Sequence, residues 1–131
     1  MQIKKSKGFT IIELIVVIAI IAILASIVLV NVTTYINKAK AAAVKSDISS
    51  IALGMGTCYA ENLSYASCTI DATLSGDITK QGGTLVTTAT PTTAYCASST
   101  LPGGGTICVD STGVTSESKV CTTATSVCAT P

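Results

Sequence analysis

Histidine, arginine and tryptophan are all absent from this chain of 131 residues, phenylalanine occurs once, and there are only three prolines. Without histidine and arginine the common general bases and the clamps for phosphate or oxyanions are missing. No nucleophile with an adjacent base can be assembled from what remains. The chain therefore reads as something other than an enzyme, with no cofactor. Charge is scarce too, at 11% of residues. The aromatics Phe9, Tyr35, Tyr59, Tyr65 and Tyr95 are too few to give much support to conduction along stacked rings, and tyrosines on helices are ordinarily packing residues.

What the sequence does have is one long apolar run. From Leu14 to Val30 every residue is apolar except Ser26. As a helix rising ~1.5 Å per residue the run reaches roughly 25 Å, and Ile11 and Ile12 extend it towards the ~30 Å of a bilayer's hydrocarbon core. A soluble core helix would show a polar stripe, and none is present here. The run is read as a membrane span. A cleaved secretory signal fits less well, because Ala19, Ala22 and Ala25 recur every third residue and leave no Ala-x-Ala pair at its end. Instead Ala19, Ala22 and Ser26 share one helical face, a packing surface on which another helix can come close. Lys4, Lys5 and Lys7 precede the span while Lys38, Lys40 and Lys45 follow it. The closeness of Lys7 to the run breaks that tie towards a cytoplasmic N-terminus. One residue is out of place in this setting: Glu13 puts a carboxylate at the head of the run.

Six cysteines, Cys58, Cys68, Cys96, Cys108, Cys121 and Cys128, all follow the span. An even number in a small extracytoplasmic domain reads as a disulfide framework. Metal binding is disfavoured because no two cysteines have Cys-x-x-Cys spacing and histidine is absent. Asp110 with Glu117, or Asp71 with Asp77, are weak candidates for calcium ligands, but no complete ligand loop is present. Asp110-Ser111-Thr112-Gly113 is similar in spelling to the Asp-Thr-Gly loop of aspartic proteases and reads better as a turn.

Lys7-Gly8-Phe9-Thr10-Ile11-Ile12-Glu13-Leu14, followed by the apolar run, resembles the processing signal of type IV pilins and pseudopilins. The resemblance covers the N-terminal third. It implies cleavage by a prepilin peptidase between Gly8 and Phe9, N-methylation of Phe9, and a role for Glu13 in assembly. A lone carboxylate within a bilayer costs roughly 3 kcal/mol at a helix centre and less near an end, so it should have a partner. Cleavage creates one, the amine of Phe9, which a staggered neighbour can present to Glu13. Alternatively, Glu13 bonds first-turn amides of its own helix, where the dipole favours negative charge. Many pilins have a Gly midway along the span and a Pro near its end; here Ala22 and Val30 stand there, so a continuous helix is expected.

The resemblance implies an α+β, type IV pilin-like fold in four parts. These are a basic leader (1–8), a transmembrane or filament-core helix (9–30), an amphipathic second half of that helix (31–62) and a Thr/Ser-rich extracytoplasmic β domain with disulfides (63–131). It also implies a homopolymer built by an assembly platform and ATPase, stored in the cytoplasmic membrane and then displayed as an extracellular filament. A pseudopilin of a secretion or DNA-uptake system is the alternative within the family. Outside it stands a single-span membrane protein with a small disulfide-rich binding domain. Direct nucleic-acid binding is not expected: without Lys4, Lys5 and Lys7, five lysines face seven acids, a net of about −2.

The residues beyond the span support this layout. Val32, Ile36, Ala39, Ala43, Val44, Ile48, Ile51 and Met55 fall at intervals of mostly three and four, so the helix continues with one apolar face. Gly54 and Gly56 weaken its last turns and place its end between Leu53 and Asn62. Strands are predicted over Thr84–Thr90, Ala94–Ser98, Thr106–Asp110 and Lys119–Thr122, with Leu101-Pro102-Gly103-Gly104-Gly105 as a hairpin connection. A hairpin centred on Pro102 sets Cys96 opposite Cys108. Local pairing then gives Cys58 with Cys68, Cys96 with Cys108 and Cys121 with Cys128.

Overall fold

The computed structural model describes residues 8–90, 93–122 and 126–131. The expectations for Lys4, Lys5 and Lys7 lie outside the described residues. Helix α1 covers Ile11–Asn62, running through Ala22 and Val30 without a break. The chain divides into two units, residues 1–35 and 36–131.

In the first unit the part of α1 up to Leu29 presents Ile, Leu, Val and Ala on every side, and its large side chains are about half exposed or more. The few polar groups here satisfy themselves locally: Ser26 Oγ donates to the Ile23 carbonyl at 2.7 Å, and Asn31 Nδ2 donates to the Ile27 carbonyl at 3.3 Å. Such back-bonding removes the cost of a hydroxyl or amide in apolar surroundings.

In the second unit α1 becomes one-sided. Val44, Ile48, Ile51 and Met55, spaced by four, three and four, form a stripe that is buried against the sheet. The helix ends where Leu63 turns to φ 52° and donates its N–H back to the Tyr59 carbonyl at 2.7 Å. Gly54 and Gly56 do not stop it, and the end falls at the far limit of the expected window. A second helix, α2 (Ala72–Lys80), follows where only strands were expected. Asp71 starts it by accepting the Thr73 N–H and hydroxyl at 2.8 and 2.7 Å, and Ile78 anchors it in the core. Those two bonds, the hydroxyl first, hold the Asp71 carboxyl below its ordinary pKa.

Four strands then run as an antiparallel meander: β1 (Leu85–Thr90), β2 (Ala94–Thr100), β3 (Thr106–Asp110) and β4 (Thr115–Glu117). The pleat sends alternate residues to opposite faces. Tyr95, Ala97, Ile107 and Val109 join the α1 stripe in the core. Cys96, Ser98, Cys108 and Asp110 share the other face, which is backed by a two-stranded ribbon of β5 (Val120–Cys121) and β6 (Cys128–Ala129). Strands β4 and β6 were not expected; two or three residues are too few to show a period. Tyrosines fill the end of the core, with ring centroids 4.6 Å apart for Tyr59–Tyr65 and 4.9 Å for Tyr65–Tyr95. Burial pushes the Tyr95 hydroxyl up to about 12.

One glycine is needed for close approach. A Cβ at Gly83 would lie 2.7 Å from Ser99 Oγ, 2.9 Å from Ile78 Cγ2 and 3.0 Å from the Thr100 carbonyl oxygen, whereas Gly76 inside α2 has open space. Gly83→Ala should therefore destabilise the oxidised chain by about 1–3 kcal/mol. Gly76→Ala should stabilise it by up to about 1 kcal/mol through helix propensity. Denaturant unfolding of both variants in detergent checks the pair, and equal effects of one sign would contradict this packing.

Candidate processing and assembly site

Glu13 sits in the first turn of α1, and its carboxylate is engaged by its own chain. Oε2 accepts the Thr10 N–H at 2.9 Å and the Thr10 hydroxyl at 2.7 Å, while the Glu13 N–H points at Thr10 Oγ1 at 3.4 Å. This is a reciprocal capping box, in which Thr10 caps the helix and the acid three residues later reaches back. The spelling Thr-x-x-Glu ahead of an apolar run carries that signal, a specific form of the expected carboxylate near first-turn amides. The box starts the helix at Ile11 and leaves Gly8 and Phe9 outside it, both exposed, with Phe9 80% accessible. The helix that Glu13 opens contains an 18-residue window of mean hydropathy 3.2, none of it buried and long enough to cross a membrane.

Residues 3–29 match the family described as the prokaryotic N-terminal methylation motif. The chain carries the prepilin-type motif of type IV pilins and pseudopilins. It is also 37% identical over 67 residues to the type II secretion system core protein G of Pseudomonas aeruginosa. That match covers 51% of this chain and 47% of the relative, so the chain spans about half the length of the curated relative it matches. No solved structure matches it. The fold agrees with the motif: a long N-terminal helix followed by a small antiparallel sheet with disulfides. Ala19, Ala22 and Ser26 all lie on exposed positions of the motif's helix.

Beyond the motif the structure joins Cys58 to Cys68, Cys96 to Cys121 and Cys108 to Cys128. The last two correct the expected local pairs Cys96–Cys108 and Cys121–Cys128. The reason is register. The β2–β3 hairpin is centred on Gly103 and not on Pro102, closing at Thr100↔Thr106, so Cys96 faces Asp110 and Cys108 faces Ser98. The two cysteines stay on one face but become diagonal neighbours. Cys121 and Cys128, paired across the β5–β6 ribbon, lie over them. Each bond therefore crosses from sheet to ribbon and ties the C-terminal segment down.

The acids considered for calcium are otherwise engaged. Asp110 Oδ1 accepts the Thr112 N–H at 3.0 Å and its hydroxyl at 2.5 Å, which makes Asp110–Gly113 a turn, and Oδ2 accepts the Cys128 N–H at 3.0 Å. Glu117 pairs with Lys45 and so ties β4 to α1. Asp71 caps α2, and Asp77 bonds Lys80 at 2.9 Å. Asp110 is 6% exposed. Burial pushes its carboxyl up, but the Thr112 and Cys128 hydrogen bonds, with Lys119 nearby, outweigh that and hold it below the ordinary range.

A depressed carboxylate contributes stability above its unfolded pKa of about 3.9. That contribution is lost as pH falls through the lower folded value. Asp110→Asn should be less stable than wild type near neutral pH, and the gap should close as the pH falls below about 4. Thermal melts of both oxidised proteins across that range test this; a pH-independent gap would count against the carboxylate as the source.

Proposed function

We propose that the chain is a structural subunit of a type IV pilus or pilus-like filament. It is processed after Gly8, N-methylated on Phe9 and polymerised through its N-terminal helix, with Glu13 pairing with the Phe9 amine of a neighbour. The observation that carries this reading is the juxtaposition of a carboxylate-capped helix start with an apolar run that its own fold leaves uncovered. Before assembly that run (9–30) holds the subunit in the cytoplasmic membrane, with the leader (1–8) inside and residues 31–131 outside. After assembly neighbouring copies replace the lipid. The subunit does no catalysis. It is the substrate of a prepilin peptidase and depends on an assembly platform and an ATPase.

A second reading within the family, a pseudopilin of a secretion system, is favoured by the similarity to the type II secretion system core protein G. Both readings use the same assembly chemistry. They differ in which machine extends the filament.

Intact-mass measurement of the protein from its native host should show loss of Met1–Gly8 and gain of one methyl group. Retention of Lys4–Lys7 in a host with working prepilin peptidase would refute the assignment. Glu13→Val removes a polar group from the span, so insertion and folding of the outer unit should survive. Filaments should not, because a neighbour's Phe9 ammonium would then be buried without its partner, at a cost of several kcal/mol, on the order of 3–5. Glu13→Asp keeps the charge with a shorter reach and should be intermediate. Sheared and membrane-held fractions of cells lacking the wild-type subunit give the comparison, with Gly8 cleavage checked in each. A normal yield of filaments from cleaved Glu13→Val would show that the pair is dispensable.

A further inference from the structure

We propose that the reduced form of this chain holds one soft d10 cation, of the zinc or cadmium type, on the thiolates of Cys96, Cys108, Cys121 and Cys128. No motif spacing announces such a site; the fold assembles it. Cys96 and Cys108 are diagonal neighbours on the face of β2–β3 that looks away from the core, and Cys121 and Cys128 are direct partners across the β5–β6 ribbon. Three of the sulfurs, those of Cys96, Cys108 and Cys121, lie within 4.8 Å of one another, and that of Cys128 is bonded to Cys108 beside them. Between the two disulfides, the Sγ atoms of Cys96 and Cys108 are 3.3 Å apart, and those of Cys96–Cys128 and Cys108–Cys121 are each 4.0 Å apart. A zinc–sulfur bond of about 2.3 Å places the sulfurs of a tetrahedral tetrathiolate roughly 3.8 Å from one another. Three edges of that tetrahedron are close to their final length in the oxidised protein. The two bonded edges open when the disulfides are reduced, and their Cα–Cα distances of 5.6 and 5.8 Å leave the sulfurs room to separate by side-chain rotation.

The surroundings suit a structural cation. Cys96 and Cys108 are 1% and 0% exposed, so the sheet side of the site is dry, while Cys121 and Cys128 are half-buried and give the ion a way in. Cys58 and Cys68 are bonded to each other at the end of α1 and contribute no sulfur to the cluster. The chemistry balances in two steps. A water-soluble phosphine gives two electrons to each disulfide, taking an oxygen from water as phosphine oxide and leaving two thiols. The four thiols then release their protons to the buffer as their thiolates bind one divalent cation. The ion thus replaces two covalent ties with four coordinate ones between the same residues, and the ribbon stays on the sheet under reducing conditions.

Cadmium alone serves as the probe, with full-length protein in detergent, phosphine-reduced under anaerobic conditions. Titration should saturate at one cadmium per chain with thiolate-to-metal charge-transfer absorption. Cys58→Ser/Cys68→Ser should leave this unchanged, and Cys108→Ser, which removes a ligand, should weaken binding by more than the roughly tenfold that loss of an outer-shell partner alone costs. A second readout does not depend on variants. Trypsin cleavage after Lys119 yields Val120–Pro131, which carries two of the four ligands. In the reduced, cadmium-loaded protein this fragment should co-elute with the rest of the chain and separate when a chelator is added. Binding that disappears with Cys58 and Cys68, a stoichiometry other than one, or a fragment that separates while cadmium remains bound would each overturn the proposal.

Discussion

An apolar helix that its own fold leaves uncovered has to be covered by something else. Leu14 to Leu29 supplies little besides aliphatic carbon, and the most apolar window is wholly unburied within the structure. Exposed apolar patches of that size are not tolerated by a protein left alone in water. Two covers are chemically equivalent, lipid tails and the same helix from other copies. A segment that accepts both can pass from one to the other with little change in solvation, which is the physical basis for storing a subunit in a membrane and moving it into a polymer. Polar groups that would obstruct the exchange, such as Ser26 and Asn31, are already bonded to their own backbone.

The second unit solves a different problem with few materials. Its large buried side chains are a handful of aliphatics and two tyrosines, Tyr65 and Tyr95, with Tyr59 packed against them and no tryptophan. Small cores of this kind are commonly stapled. Here the staples fall where packing ends: one closes the turn from α1 into the Cys68 loop, and two fasten the β5–β6 ribbon over the face of the sheet that the core does not use. Asp110 reinforces that second layer by accepting the Cys128 N–H. The Lys45–Glu117 pair links α1 to β4, the shorter edge strand of the four-stranded sheet.

Elements with long, single-character patterns were legible in the sequence. The apolar run is marked by its length, the Val44–Met55 stripe by its period, and strands β1 to β3 by Thr-rich stretches bounded by turn residues. Helix α2 was not, because only Leu74 and Ile78 mark its buried face among Thr, Ser, Gly and Asp, and its decisive signal is one Asp71–Thr73 cap. The disulfide partners failed for another reason. Shifting the hairpin centre from Pro102 to Gly103 preserves which face each side chain takes, so every pattern of alternation still fits. It nevertheless moves Cys96 from opposite Cys108 to opposite Asp110. Turn geometry sets that register, and three consecutive glycines with φ of 90°, 107° and 91° at Gly103 to Gly105 leave the sequence with little to say about it.

At Glu13 the capping box and the proposed charge pair are compatible. Both bonds from Thr10 fall on Oε2, and among the described residues Oε1 accepts none. A carboxylate offers about four acceptor sites, so one oxygen can hold the first turn while the other receives an ammonium. The acid is also needed there on electrostatic grounds. The start of a helix carries roughly half a positive charge, and bringing a neighbour's Phe9 amine up to the first turn would set cation against positive dipole. Glu13 reverses the sign of that end. Without it, the place where one subunit's N-terminus would meet the next repels it. A carboxylate in an otherwise apolar segment thus has one use in the helix it starts and, in the proposed filament, a second in the neighbour it would admit.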